Sequence, residues 1–93
     1  MSTRTVPSDA DLRKTVFAAL RKVAPDVDPA QISDSESLRD QTDLDSMDFL
    51  NFVLGLHATL GVEIPETDYR RLESVQGIVA YLRERLSTGE APA

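Results

Sequence analysis

Apolar residues recur at helical spacing in three separate stretches of the chain. Leu12, Val16, Ala19, Leu20 and Val23 form the first stripe, with Phe17 alongside. Steps of three and four place such residues on one face of a helix. Ser8-Asp9-Ala10-Asp11 precedes the stripe and reads as a capping box, with an acid three residues after the serine. Arg21 and Lys22 fall in the last turn, where cations suit the negative end of the helix dipole. Pro25 stops the run, because the residue before a proline is pushed out of the helical region. The pattern predicts a first helix from about Asp9 to Ala24.

From Pro25 to Leu44 no periodicity is sustained, and Asp and Ser are frequent. A connection of this length exceeds the median of about 4–6 residues, and long loops often carry function. Ile32 and Leu38 are its large apolar residues before Leu44, so they are expected to pin it to the core. Ser33 and Ser37 could each cap a short turn, and the sequence does not choose between them. A second helix follows over about Ser46 to Leu60, closed by Gly61. After Val62-Glu63-Ile64, Pro65 opens a short helix over Glu66 to Arg71. Ser74 caps a last helix that carries Val75, Ile78, Val79, Leu82 and Leu86. No alternating run reads as a strand. The sum is an all-α bundle of three main helices plus one short one, with a long loop between the first two. One domain is expected over residues 8–87, between a flexible lead-in at 1–7 and a disordered tail at 88–93.

At about 100° per residue, the second helix divides into zones. Phe49, Phe52, Val53, Leu56 and Leu60 share one broad arc, assigned to the core. Asp48, Asn51, Gly55, Ala58 and Thr59 take the opposite, polar or small face. Met47, Leu50 and Leu54 form a second apolar strip on the far side of Ser46, with His57 beside them. That strip either packs under another element of a central helix or is a surface where a partner docks.

Composition narrows the chemistry. With 93 residues, no cysteine and one histidine, the chain offers no thiolate site, disulfide framework or histidine pair. A net charge of −6 argues against nucleic acid as a partner. No run approaches the ~18–20 apolar residues of a membrane span, and the first residues lack the apolar core of a signal peptide. A cytoplasmic monomer without membrane insertion is the expectation. Ser46, preceded by Asp45 and followed two residues on by Asp48, sits at the start of the second helix. It is either a plain helix cap or a hydroxyl displayed for attachment. A serine hydrolase is a poor reading, since no histidine–acid relay is evident. His57 reads as a boundary residue, Arg70, Arg71, Arg83 and Arg85 as solvated, and Tyr69 and Tyr81 as core-edge residues with wet hydroxyls.

Asp45-Ser46-Met47, then Leu60-Gly61-Val62-Glu63-Ile64-Pro65, then Ser74-Val75-Gln76-Gly77-Ile78-Val79-Ala80-Tyr81-Leu82 together resemble the acyl carrier protein family. The resemblance runs from the first helix to about Leu86 in matching order. It implies an acyl-carrier-like four-helix bundle and a free-standing, non-catalytic carrier, with no catalytic residue and no resident metal. It implies that Ser46 is esterified with 4′-phosphopantetheine, taken from coenzyme A by a magnesium-dependent phosphopantetheinyl transferase, with Asp45 helping to position magnesium and serine. Met47, Asp48, Leu50, Asn51, Leu54 and His57 would then be the partner-binding residues. Acyl- or aminoacyl-activating, condensing or acyltransferase enzymes would be the partners. Asn51, His57 and Ala58 stand where fatty-acid carriers commonly place acids, which points to a dedicated carrier in a specialised lipid or secondary-metabolite pathway. An aminoacyl, peptidyl or D-alanyl carrier, and an unmodified helical interaction module, are the alternatives.

Overall fold

The first apolar stripe folds as α1, Asp9–Val23. The Ser8 hydroxyl accepts the Asp11 N–H at 3.1 Å, as the capping pattern predicts. The Ala24 N–H closes the other end on the Leu20 carbonyl at 2.8 Å. The structure is a computed structural model and describes residues 7–87. The expected tail at 88–93, and all of the lead-in except Pro7, lie outside the described residues. On α1, Leu12, Val16 and Leu20 are fully buried, with Phe17 and Ala19 nearly so. Burying each large aliphatic side chain contributes about 1.5–3 kcal/mol.

The Pro25–Leu44 segment is more structured than its lack of periodicity suggests. A 3-10 turn spans Pro29–Gln31, and a five-residue helix, α2, spans Leu38–Thr42. Ser37 is the capping serine, its hydroxyl accepting the Asp40 N–H at 3.3 Å. Leu38 is fully buried and Ile32 packs against the core, so both anchor as expected. Polar contacts do the rest. The Gln41 side-chain amide accepts the Ser33 N–H at 2.7 Å and donates back to the Ser33 carbonyl at 2.9 Å. It thereby supplies the pairing that a neighbouring strand would otherwise give. Asp34 takes a two-pronged ion pair from Arg13 of α1, while its carbonyl accepts the Gln76 N–H at 2.9 Å. These long-range partners leave no periodic signal in the sequence.

The serine helix forms as α3, Ser46–Leu60. Gly61 ends it at φ 68°, its N–H returning to the His57 carbonyl at 2.8 Å. That left-handed geometry favours glycine, which has no Cβ to clash. The short helix after Pro65 is of the 3-10 type, Glu66–Leu72, and Pro65 is its cap residue rather than its first helical one. The last helix, α4, spans Val75–Ser87, and Ser74 Oγ accepts the Gly77 N–H at 3.0 Å at its start. Helix α1 packs on both α3 and α4, and the 3-10 helix packs on α4. Among the described residues there is no strand, only one isolated bridge between Ser37 and Ser74.

Tyr81 departs from expectation. It is 1% exposed rather than wet at its tip, and its hydroxyl donates to Asp68 Oδ2 at 2.6 Å. Burial first, and then that hydrogen bond, push its pKa up to about 12. The ring also lies under the Arg71 guanidinium, 4.8 Å from its centroid, and Arg71 itself pairs with Glu84 at 2.7 Å. Arg83 likewise pairs with Asp9 across the α1–α4 face. These arginines tie elements together, beyond the solvated role their sequence positions suggest.

Candidate functional site

The start of α3 distributes its roles between two adjacent residues. Asp45 is the cap: its backbone is extended, and its Oδ1 accepts the Asp48 N–H at 2.8 Å. Ser46 is the first helical residue. Of the two readings of Ser46, the plain cap does not hold, because an extended cap residue must precede the first helical one, and Asp45 fills that position. The serine side chain is left exposed. Its hydrogen-bond contact is with the Arg39 guanidinium, Nη2 to Oγ at 3.5 Å.

An exposed hydroxyl at a helix start, next to a cation, is well placed to carry a phosphate ester. Free backbone N–H groups and the positive end of the dipole favour negative charge there. Among the described residues, the side-chain hydrogen-bond contact of the Ser46 hydroxyl is a cation, not a base. His57 lies eleven residues along the same helix, roughly 16 Å away at about 1.5 Å per residue. Its Nδ1 donates to the Val62 carbonyl at 2.8 Å, which ties the ring to the chain leaving α3. Among the described residues, no group of three or more His, Asp or Glu is placed to hold a metal ion.

The remaining α3 residues fall largely where the wheel puts them. Phe49, Phe52, Val53 and Leu56 are buried, and Leu60 packs against that core. Met47, Leu50 and Leu54 are 65%, 38% and 51% exposed, so no described element of this chain covers the second apolar strip. Asn51 beside it is exposed, while Asp48 and His57 are half-buried. Gly55 is the exception on the polar face. A Cβ built there would stand 3.7 Å from the Ala19 Cβ, so this part of the face packs on α1. Helix crossing, which a wheel of one helix cannot represent, decides that point.

A groove of about 1050 Å³ opens beside Ser46, between the segment leading into α3 and the 3-10 helix. Arg39, Phe49, Leu50, Tyr69 and Arg70 line it together with Ser46. Phe49 meets Tyr69 edge-on at 5.9 Å, and the Arg39 guanidinium lies 5.1 Å from the Phe49 centroid. Sequence reasoning missed Arg39, because it sits in the aperiodic segment seven residues before the serine and only folding brings it alongside.

A small helical bundle that displays a serine at a helix start has the form of a carrier domain. The chain belongs to the acyl carrier protein family. Its residues 14–82 match the family described as "Phosphopantetheine attachment site". It is 30% identical over 59 residues to an acyl carrier protein of Bdellovibrio bacteriovorus, covering 63% of this chain and 76% of that protein. It is 33% identical over 57 residues to an acyl carrier protein of Lactobacillus johnsonii, covering 61% and 71%. The solved acyl carrier protein from Enterococcus faecalis superposes with a TM-score of 0.58 at 30% identity, covering 76% of this chain and 98% of that one. The protein is thus a non-catalytic carrier whose prosthetic group is covalently attached 4′-phosphopantetheine, and it works with biosynthetic enzymes.

Proposed function

We propose that Ser46 is the attachment residue and that the protein is an acyl carrier, loaded by a phosphopantetheinyl transferase. The observation that carries this reading is the division at the start of α3: Asp45 caps the helix, and the Ser46 hydroxyl is left exposed. At the hydroxyl itself Arg39 and the helix start favour a phosphodiester, while Asp40, Asp43, Glu66 and Glu73 line the groove beside it. When bound, 4′-phosphopantetheine supplies a terminal thiol on which an acyl group is held as a thioester. Asp45, exposed beside the serine, helps to orient magnesium and serine during loading. Met47, Leu50 and Leu54 form the docking strip, with Asp48, Asn51 and His57 along its margin. Tethering works by effective concentration, in the millimolar range for short flexible links (about 10⁻³ M).

The strip is more apolar than acidic, with Asp48 the one acid within α3. Enzymes of a specialised lipid or secondary-metabolite pathway, engaging it chiefly through apolar contact, suit such a surface. Intact mass after incubation with coenzyme A, magnesium and a promiscuous transferase tests the reading beside Ser46→Ala. A phosphopantetheine gain on the wild type alone is expected. No gain on the wild type would remove the carrier reading, and a gain that persists in Ser46→Ala would move the site.

A further inference from the structure

We propose that Arg39 is a clamp for the phosphodiester that joins the arm to Ser46; this rests on the assignment of Ser46 as the attachment residue. The Arg39 Nη2 stands 3.5 Å from Ser46 Oγ. At that length it holds a hydroxyl only weakly. On an esterified serine, the free phosphoryl oxygens lie one phosphorus atom beyond Oγ. A guanidinium already at that distance from Oγ meets them by side-chain adjustment alone. Its planar array of N–H donors suits a phosphate better than it suits a single hydroxyl.

The guanidinium is held for this purpose from behind. Arg39 follows the fully buried Leu38 on α2, whose start is capped by Ser37. Its guanidinium lies over the ring of Phe49, which is 6% exposed and itself braced edge-on by Tyr69. A ring contact of this kind restrains the guanidinium while leaving N–H donors available. Arg13, Arg71 and Arg83 are each paired with a carboxylate at 2.7–3.1 Å. Among the described residues Arg39 has no such pair. Asp45, the nearest acid in sequence to Ser46, has its Oδ1 engaged by the Asp48 N–H. Arg39, the described arginine with a hydrogen bond to Ser46 Oγ, therefore keeps its charge for an incoming anion. A clamp there holds the root of the arm toward the groove lined by Phe49 and Tyr69, and leaves Met47 and Leu54 open to a partner.

The test uses the full chain in unloaded and loaded forms, with loading scored by intact mass. In the wild type, nitrogen-resolved spectra of the Arg39 side chain should show hydrogen exchange slowed about two- to five-fold on loading, the range an exposed charge pair supports. The phosphorus resonance of loaded wild type should differ from that of loaded Arg39→Gln, and about 1 M salt should bring the two together. An Arg39 exchange rate unchanged by loading, or identical phosphorus resonances in the two proteins at low salt, overturns the clamp. Because the Arg39 measurement is made on the wild type, it stands even if the variant loads poorly. Failure of the wild type to gain mass sinks the Ser46 assignment instead, so the two failures are distinct.

Discussion

Asp45 Oδ1 accepts the backbone N–H of Asp48 at 2.8 Å, and this one bond releases Ser46 from the capping role its residue type would suit. The pair explains why an acid directly before the serine is useful to the fold itself. It also lets the structural and functional roles of Asp45 be separated. Asparagine caps about as well as aspartate, whereas alanine loses the cap at a cost of about 1 kcal/mol. Asp45→Asn is expected to leave urea stability within a few tenths of a kcal/mol of the wild type. If the carboxylate positions magnesium, loading should still fall about 10–100-fold in Asp45→Asn. Unchanged loading rates in that variant would confine Asp45 to capping.

The exposed strip yields a second expectation. Leu54 is 51% exposed, so Leu54→Asp should change stability by no more than about 0.5 kcal/mol. Loading by the transferase, followed by mass spectrometry, should nevertheless slow. Phe52, two residues earlier, is fully buried, and Phe52→Ala should cost about 3–5 kcal/mol. A large loss of helical circular dichroism in Leu54→Asp would place that leucine in the core.

Alkaline pH should weaken the fold through Tyr81. Its pKa rises from 10.0 to about 12 in the folded state, so the neutral hydroxyl is the form the fold favours. The contribution is fully present below pH 10 and is lost as pH climbs through 12, on the order of 2–3 kcal/mol across that window. Tyr81→Phe should flatten this part of the alkaline decline in urea stability. At neutral pH the same variant should lose about 1–2 kcal/mol with the bond to Asp68. Parallel alkaline curves for the two proteins would contradict this account.

Two helical glycines should respond to alanine with opposite signs. At Gly55 the new Cβ meets Ala19 at an ordinary 3.7 Å, so the helix preference for alanine should add about 0.5–1 kcal/mol. At Gly77 it would meet the Arg71 backbone carbonyl at 3.0 Å and Ser74 Oγ at 3.2 Å. Crowding of the 3-10 helix against α4 should outweigh helix preference there, for a net loss of about 1 kcal/mol. Thermal unfolding of both variants decides the signs.

Much of this molecule was legible from periodicity and end signals. The bounds of α3 and the burial of Phe49, Phe52, Val53 and Leu56 follow from spacing, because one helix face must leave water. The serine-bearing junction was legible for the same local reason. Caps and first-turn acids act within four residues of one another, so sequence neighbours carry the information.

Contacts between distant residues were not legible. The strip of Met47, Leu50 and Leu54 could have lain under another element; packing alone left it exposed. Gly55 against α1, Tyr81 buried on Asp68, and Gln41 paired with Ser33 each depend on how separate segments meet. The sequence by itself determined which segments are helical and where a hydroxyl stands at a helix start. Tertiary structure decided that Asp45 and Arg39 surround it differently, one engaged by the helix and one left with its charge. Local patterns encode faces and ends, whereas an aperiodic segment acquires its positions only from the partners it meets on folding.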